Sequence, residues 1–548
     1  MRGAARGAKR LLRLAAAGVL ALCAACQAAP VHDIVIRNGR VLDGAGNPWV
    51  RADVAIDDGR IAELGTVPAR GEREIDAAGR YVAPGFIDMM DQSGHVLLEN
   101  GAAVNKLMMG VTTVIAGEGG TPVEAGEIGA YFVRLEEQGI GVNFGTYYSA
   151  TQARVTAMGD VDGAPTENQM LMMKTEVGKA MQAGAFGIST ALIYPPGSFH
   201  GTQELIELAT VAASCDGFYA THMRDESRAL IEAIEEAVEI GEQSGARVEI
   251  FHLKAAYAPG WGVLMPEAIA AIEAARARGV DVAADLYPYP AGGTGLDITV
   301  PNRVWVDGEE KGLERLRDLR VREQLKREVA AGSQPGWSNL VEASGGWNHI
   351  VLANAFNPEY ERYHGRSIAD IGADLGRHPA DAAWDILLDA LPERAMALFF
   401  MMDERDIELA IRQPWTSIGS DAAAAASPGE VDALGLPHPR AYGTFPRVIA
   451  EYVKERGVLT LPQAVRKMTS WPATRMGLFE RGVIREGLRA DVVVFDYAEI
   501  EDRATWQDPT ATPNGIDYVI VNGELAIDDG RYTGVMAGDV LRHQCDTP

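Results

Sequence analysis

At 548 residues the chain exceeds the roughly 250–300 at which one hydrophobic core stops growing, so a large domain with a smaller companion is expected. Its 47% hydrophobic and 23% charged residues exclude a largely disordered chain. A formal net charge of −26 excludes nucleic acid and anionic membrane as partners of the bulk surface, although a few local cations can still dominate a cleft.

The first thirty residues read as an export signal. Arg2, Arg6, Lys9, Arg10 and Arg13 precede an apolar stretch through Leu22, followed by LCAACQAAP. That stretch is shorter than the roughly 20 residues a membrane span needs, which assigns 1–29 to a cleaved signal peptide. Cys26, after the small Ala24 and Ala25, resembles a bacterial lipoprotein cleavage site, with Cys23 where Leu is usual. The expected location is therefore periplasmic, either free or held to the membrane by a lipid on Cys26. Only Cys215 and Cys545 then remain, too few for a disulfide framework and enough for a single bridge.

Next, DIVIRNGRVLDG and ADVAIDDGRIAELG alternate apolar and polar residues around Asn-Gly and Asp-Gly, the pattern of hairpins. The same texture returns in ADVVVFDY and IDYVIVNGELAIDDG. Neither ribbon can bury a core alone, so residues 30–81 and 475–548 are expected to combine into one small β-sandwich.

Between them, over 82–474, strand-like runs alternate with helical periodicity. The runs are YVAPGFIDM, VTTVIAG, VNFGTYY, AFGIST, GFYATH, VEIFH, VDVAADLYPY and WTSIGSD, separated by segments such as SRALIEAIEEAVEIGEQSG. Eight such strands predict an α/β fold, a closed (β/α)8 TIM-type barrel whose chemistry sits at the carboxyl ends of its strands. A long insertion at about 290–415 interrupts the last connection. It carries LERLRDLRVREQLKREV, a strand-like HIVLAN and DAAWDILLDALPERAMALFF, read as helical, and is expected to act as a lid.

His222 and His252 each end a strand-like run, and neighbouring strand ends in a parallel barrel lie about 5 Å apart, within common reach of one ion. Imidazole nitrogens suit zinc. Glu118, in the glycine-rich VTTVIAGEGGTP, is the best third ligand, the alternative being a solvated carboxylate on a plain turn. Asp421 follows the last strand, either as the general base toward the attacking water or as a helix cap. Arg224, Asp225, His438, Arg440 and Tyr289 lie near the mouth, to contact substrate or to brace loops.

These residues resemble the N-acyl-D-amino-acid deacylases, or D-aminoacylases, of the amidohydrolase superfamily. The resemblance runs in order through APGFID, GVTTVIAGEGG, GAFGISTALIYPPG, YATHMRDES, HLKAA, DLYPYPAGGTG, IGSDA, LPHPRAYGTFPRVIAEYV, VRKMTSWPATRMGL and RGVIREGLRADVVVFD, nearly the whole mature chain. It implies hydrolysis of the amide of an N-acyl-D-amino acid by a zinc-activated water. His222 and His252 match metal ligands, Asp421 the catalytic aspartate, and Lys254 and Tyr287 positions that hold the substrate carboxylate. The neighbouring family serine is here Gly293, followed by Thr294.

Two positions depart from the family. Where the superfamily carries His-x-His after PGFID, this chain reads Met90-Asp91-Gln92. Where the deacylases place a metal-binding Cys in GNCG, it reads Gly117-Glu118-Gly119-Gly120. One type of acetylglucosamine-phosphate deacetylase also lacks His-x-His and binds one metal through Glu and two His. The resemblance therefore implies one zinc ion on Glu118, His222 and His252, with Gln92 either hydrogen-bonding the attacking water or merely packing near the barrel mouth. Other activities on this fold are a dipeptidase or a cyclic-amide or lactone hydrolase. A reading from another class is a catalytically degenerate ligand-binding lipoprotein.

Overall fold

The computed structural model describes residues 31–425 and 436–545; the expected signal peptide and Cys26 lie outside the described residues. Eight strands form a ring: β1 (Phe86–Asp91), β2 (Val111–Ala116), β3 (Asn143–Thr146, continued by Tyr148–Ser149), β4 (Gly187–Ala191), β5 (Phe218–His222), β6 (Arg247–Ile250), β7 (Val282–Leu286) and β8 (Thr416–Ile418). Neighbours pair in parallel from β1 to β8. The ring closes where Asp91 bridges Ala422 and the Asp421 amide donates to the Met90 carbonyl at 2.8 Å. Such strands are covered on both faces, which is why VTTVIA is apolar or small and buried at every position.

A fully buried ammonium pins this closure. Lys106 Nζ lies 2.9 Å from Asp88, 2.7 Å from Asp91, and 2.7 Å from both Ser420 Oγ and the Ala422 carbonyl. It thus ties β1 to the segment that carries Asp421.

The run YVAPGFIDM is two strands rather than one. At Gly85 the backbone passes so close to Thr112 that a Cβ would sit 2.2 Å from its Oγ1. Tyr81–Pro84 pairs antiparallel with Val492–Phe495 and belongs to the end sheet, while Phe86 begins the barrel.

Strands from both chain ends make that sheet, with Val31–Val41, Val50–Asp57, Arg60–Gly65 and Arg70–Asp76 joined through Tyr81–Pro84 to Val492–Phe495, Ile516–Val521, Glu524–Asp528 and Arg531–Tyr532. Ile34, Ile36, Val54, Ile56, Ile75, Val492, Val494 and Ile520 share one core. Asp58-Gly59 and Asn522-Gly523 both have positive φ and form the tight hairpin turns expected of them. Asn38-Gly39 does not turn the chain. It makes a bulge within Val31–Val41, where the register against the next strand shifts.

The insertion has its own antiparallel sheet, Ala291–Gly295, Met396–Phe400 and Ile350–Asn354, and its own core around Trp384, Leu352 and Phe399. Its charged helix is two, Glu309–Arg317 and Leu319–Ala331, because Asp318 caps the second through the Arg320 amide. The helix expected to run through MALFF stops at Ala390, since Pro392 cannot continue it, and MALFF is the central strand. Cys215 and Cys545 are disulfide-bonded, tying the C-terminal segment to the barrel.

Candidate metal centre

His222 is the last residue of β5 and His252 follows β6, and their rings meet edge to face with centroids 4.5 Å apart. Glu118, two residues past β2, reaches between them: its Oε1 lies 2.7 Å from His222 Nδ1 and 3.1 Å from His252 Nε2. One donor atom from each of the three lies within 4.8 Å of the others, the only such group of three among the described residues. Two imidazole nitrogens and one carboxylate oxygen at this spacing fit a divalent zinc ion and leave a position open for substrate or water.

The ring nitrogens turned away from that centre share one partner. His252 Nδ1 lies 3.0 Å from Glu226 Oε1 and His222 Nε2 lies 3.3 Å from Glu226 Oε2. Glu226 lies within ion-pair distance of both outer nitrogens, while His222 Nε2 makes no hydrogen bond and His252 Nδ1 also lies 2.7 Å from Lys254 Nζ, so the carboxylate is placed to hold the two rings with Nδ1 of His222 and Nε2 of His252 toward Glu118. Burial works against ionising Glu226, but His222, Lys254 and His252 around it outweigh that and hold it well below the usual carboxylate range. Glu118 is partly buried, and hydrogen bonds from His222 and His252 hold it well below that range. Burial disfavours charge on His222 as well, yet Glu226 and Glu118 push its pKa up to about 9, the response of an imidazole between two carboxylates.

The backbone is strained at the two positions that aim these groups. His252 has φ of 36° and Asp421 has φ of 50°, left-handed conformations rare for such residues. The Asp421 carboxylate meets Arg440 Nη1 at 2.6 Å and accepts from Gln92 Nε2 at 3.2 Å. No helix starts at Asp421, since the residues through Ala425 are not helical, so the capping alternative falls.

Glu118, His222, His252, Gln92, Asp421, Lys254 and Tyr287 all line one cavity of about 380 Å³, as do Glu226, Thr294, Arg394 and Arg440. Gln92 spends its amide nitrogen on Glu118 and Asp421, coupling the two. Lys254 is less free than expected: its ammonium is buried and lies 2.6 Å from Glu226. Tyr287 is buried, which raises its phenol well above the ordinary value and keeps it a neutral donor.

Arg224 is not in the cavity. Its guanidinium is taken by Glu236 and by the carbonyls of Ser198 and His200, all at 2.9 Å, so it braces two loops and cannot bind substrate there. Asp225 caps its own loop through Ser227, Tyr289 donates to Asp502, and His438 packs among Tyr287, Tyr289 and Trp506. Arg440 does face the cavity. It is buried above the Tyr287 ring, with its Nε unpartnered. Glu226 is the residue that sequence reasoning missed. No spacing rule marks a glutamate four positions past a strand-end histidine in an irregular loop.

An eight-stranded parallel barrel with a His, His and Glu cluster at its mouth, facing an aspartate after the last strand, defines a metal-dependent hydrolase of the amidohydrolase type. An Amidohydrolase family model matches residues 373–527. N-acyl-D-glutamate deacylase of Alcaligenes xylosoxydans xylosoxydans is 33% identical over 90% of this chain and 93% of its own. N-acyl-D-glutamate deacylase of Bordetella bronchiseptica, solved with zinc and a phosphonate inhibitor mimicking the tetrahedral intermediate, superposes with a TM-score of 0.77 at 32% identity, covering 94% of this chain and 100% of that one. A D-aminoacylase structure, described as having a binuclear metal centre with one-metal activation and second-metal attenuation, gives 0.78 at 31% identity, over 93% of this chain and 100% of its own. The chain belongs to the D-aminoacylase family of amidohydrolases, hydrolases of carbon–nitrogen bonds other than peptide bonds.

Proposed function

We propose that the protein hydrolyses the amide bond of N-acyl-D-amino acids at a single zinc ion held by Glu118, His222 and His252. The observation that carries this reading is that compact N, N, O donor set, with its outer nitrogens on Glu226, in a chain related over nearly its whole length to N-acyl-D-glutamate deacylase. When bound, zinc polarises the scissile carbonyl and lowers the pKa of the attacking water toward about 7.

The protein's own groups do the rest. Asp421 takes the proton of the attacking water and returns it to the leaving nitrogen. Gln92 and Arg440, both bonded to Asp421, hold its carboxylate in one orientation. Arg440, with its unpartnered Nε, and the neutral Tyr287 phenol receive the substrate carboxylate on the β7–β8 side of the mouth. Lys254 keeps Glu226 ionised and adds positive potential to the same wall.

Two observations support one ion rather than two. Met90 and Gln92 stand where His-x-His would supply ligands, and neither offers an anionic or imidazole donor. Asp91, between them, is committed to Lys106. Export to the periplasm, with a lipid on Cys26, is supported by the N-terminal pattern, and the Cys215–Cys545 bridge suits an oxidising compartment.

The test is a panel of N-acyl-D- and N-acyl-L-amino acids offered to metal-quantified protein. Turnover of D- but not L-compounds at one zinc per chain is expected. Turnover of L-compounds alone, or of none while dipeptides are cleaved, would overturn the substrate assignment.

A further inference from the structure

A second cavity of about 470 Å³ adjoins the metal centre and shares Gly119, Ala191, Tyr194 and Arg394 with it. Much of its wall is apolar: Pro195 and Pro196 from the loop after β4, and Trp305, Leu313, Leu387 and Leu391 from the insertion. Tyr194, Trp305 and Leu313 are only partly buried, each packing one side against the insertion's core. Arg394 stands at the neck, where Asp297 claims Nε at 2.7 Å and Nη2 at 3.0 Å. The other charged lining groups, Asp160, Glu309 and Glu393, are acidic. An anionic arm is therefore repelled, while a neutral apolar one is accommodated.

We propose that this cavity binds the acyl arm of the substrate, and that the preferred substrates are N-acyl amino acids with straight aliphatic acyl chains well beyond acetyl. The inference rests on the deacylase reading and deepens it. Its direction comes from the barrel. The groups placed to hold the carboxylate, Lys254, Tyr287 and Arg440, follow β6, β7 and β8, whereas on the barrel itself the second cavity is bounded by Gly119 after β2 and by Ala191 and Tyr194 at and after the end of β4, with the insertion between β7 and β8 reaching across to supply the rest of its wall. In a ring of eight, the arc centred on β3 lies opposite β7. With the amino-acid carboxylate on one arc and the scissile carbon at the metal between them, the acyl chain leaves toward the other arc, into the apolar cavity. No new chemistry is needed, since water adds across the same amide and the products are a fatty acid and a free amino acid.

The experiment is an acyl series, acetyl to decanoyl, on one D-amino acid, run with zinc-loaded protein alongside an equal lengthening of the amino-acid side chain at fixed acetyl. Each methylene that enters the cavity is expected to raise kcat/KM about fourfold, so octanoyl, six methylenes longer than acetyl, should exceed it by at least about sixtyfold even when only three of the six enter. A flat or falling acyl series overturns the proposal, as does a gain that appears only when the side chain is lengthened. Leu313→Trp, which fills the cavity, should cut the octanoyl-to-acetyl ratio at least about tenfold; an unchanged ratio in a folded variant overturns it, and should the variant not fold, the unsubstituted protein's series decides. If no acyl compound is hydrolysed, the deacylase reading fails by itself. Calorimetric binding of the same compounds then judges the cavity, with tighter binding of decanoyl than acetyl supporting it and equal affinity rejecting it.

Discussion

Glu226→Gln separates an organised metal centre from a chance cluster of polar groups. The carboxylate stands 2.6 Å from Lys254, 3.0 Å from His252 Nδ1 and 3.3 Å from His222 Nε2. Two imidazoles and an ammonium converge on two oxygens, and the ammonium lies 2.7 Å from His252 Nδ1 as well. A glutamine has one acceptor oxygen, so its NH2 must face at least one N–H or ammonium, and that ring loses its anchor. Hydrogen bonds to a charged group contribute about 1.5–3 kcal/mol each, and losing the partner of a ligating histidine costs about 10–100-fold in metal affinity. Zinc affinity measured by chelator competition is therefore expected to fall by about 10–100-fold, with far-UV circular dichroism unchanged. Glu226→Ala should also lower thermal stability, because it leaves the buried Lys254 ammonium without its carboxylate, a defect of about 3–5 kcal/mol. A Glu226→Gln protein binding zinc within threefold of the parent would refute the argument that this carboxylate orients both ligands.

Asp421→Asn should lower kcat by about 10²–10⁴-fold while zinc content stays at the parental level, since the amide cannot accept the proton but keeps the shape; near-normal turnover would reject the role. Lys106→Met leaves Asp88 and Asp91 buried without their cation and should lower stability by about 3–5 kcal/mol, read as a fall in the denaturant midpoint. Lys467, buried against the carbonyls of Gln413 and Thr416, has its ammonium pushed down to about 7 by burial. Below pH 7 it is charged in both states and the cost of burying that charge is carried in full. Between pH 7 and its unfolded value near 10.5 the unfolded chain alone holds the proton, so stability rises with pH by up to about 1.4 kcal/mol per unit. Lys467→Met should flatten that rise in Tm against pH, and an unaltered slope would reject the assignment.

Much of this was legible in the sequence because it rests on local rules. Parallel strands buried on both faces are short apolar runs with sharp ends, so all eight barrel strands could be read and the residues at their carboxyl ends were the natural places to search. Hairpins set by Asp58-Gly59 and Asn522-Gly523 need positive φ, and those dipeptides supply it. What escaped depends on long-range geometry. The division at Gly85 depends on contact with Thr112, which no local pattern encodes. Arg224 sits two residues past His222 and still points away from the cluster, because Glu236 and two carbonyls capture it. Glu226 and Lys106 became visible only once folded, since each acquires meaning from partners brought together by the fold: two histidines in one case, β1 and the segment after β8 in the other.

The central claim is that Glu118 joins His222 and His252 on one ion. Anomalous diffraction at the zinc edge from zinc-loaded crystals tests it directly. One peak is expected, about 2.0–2.2 Å from Glu118 Oε1, His222 Nδ1 and His252 Nε2. A peak bound by the two histidines without Glu118, or two peaks of equal height, would contradict the account.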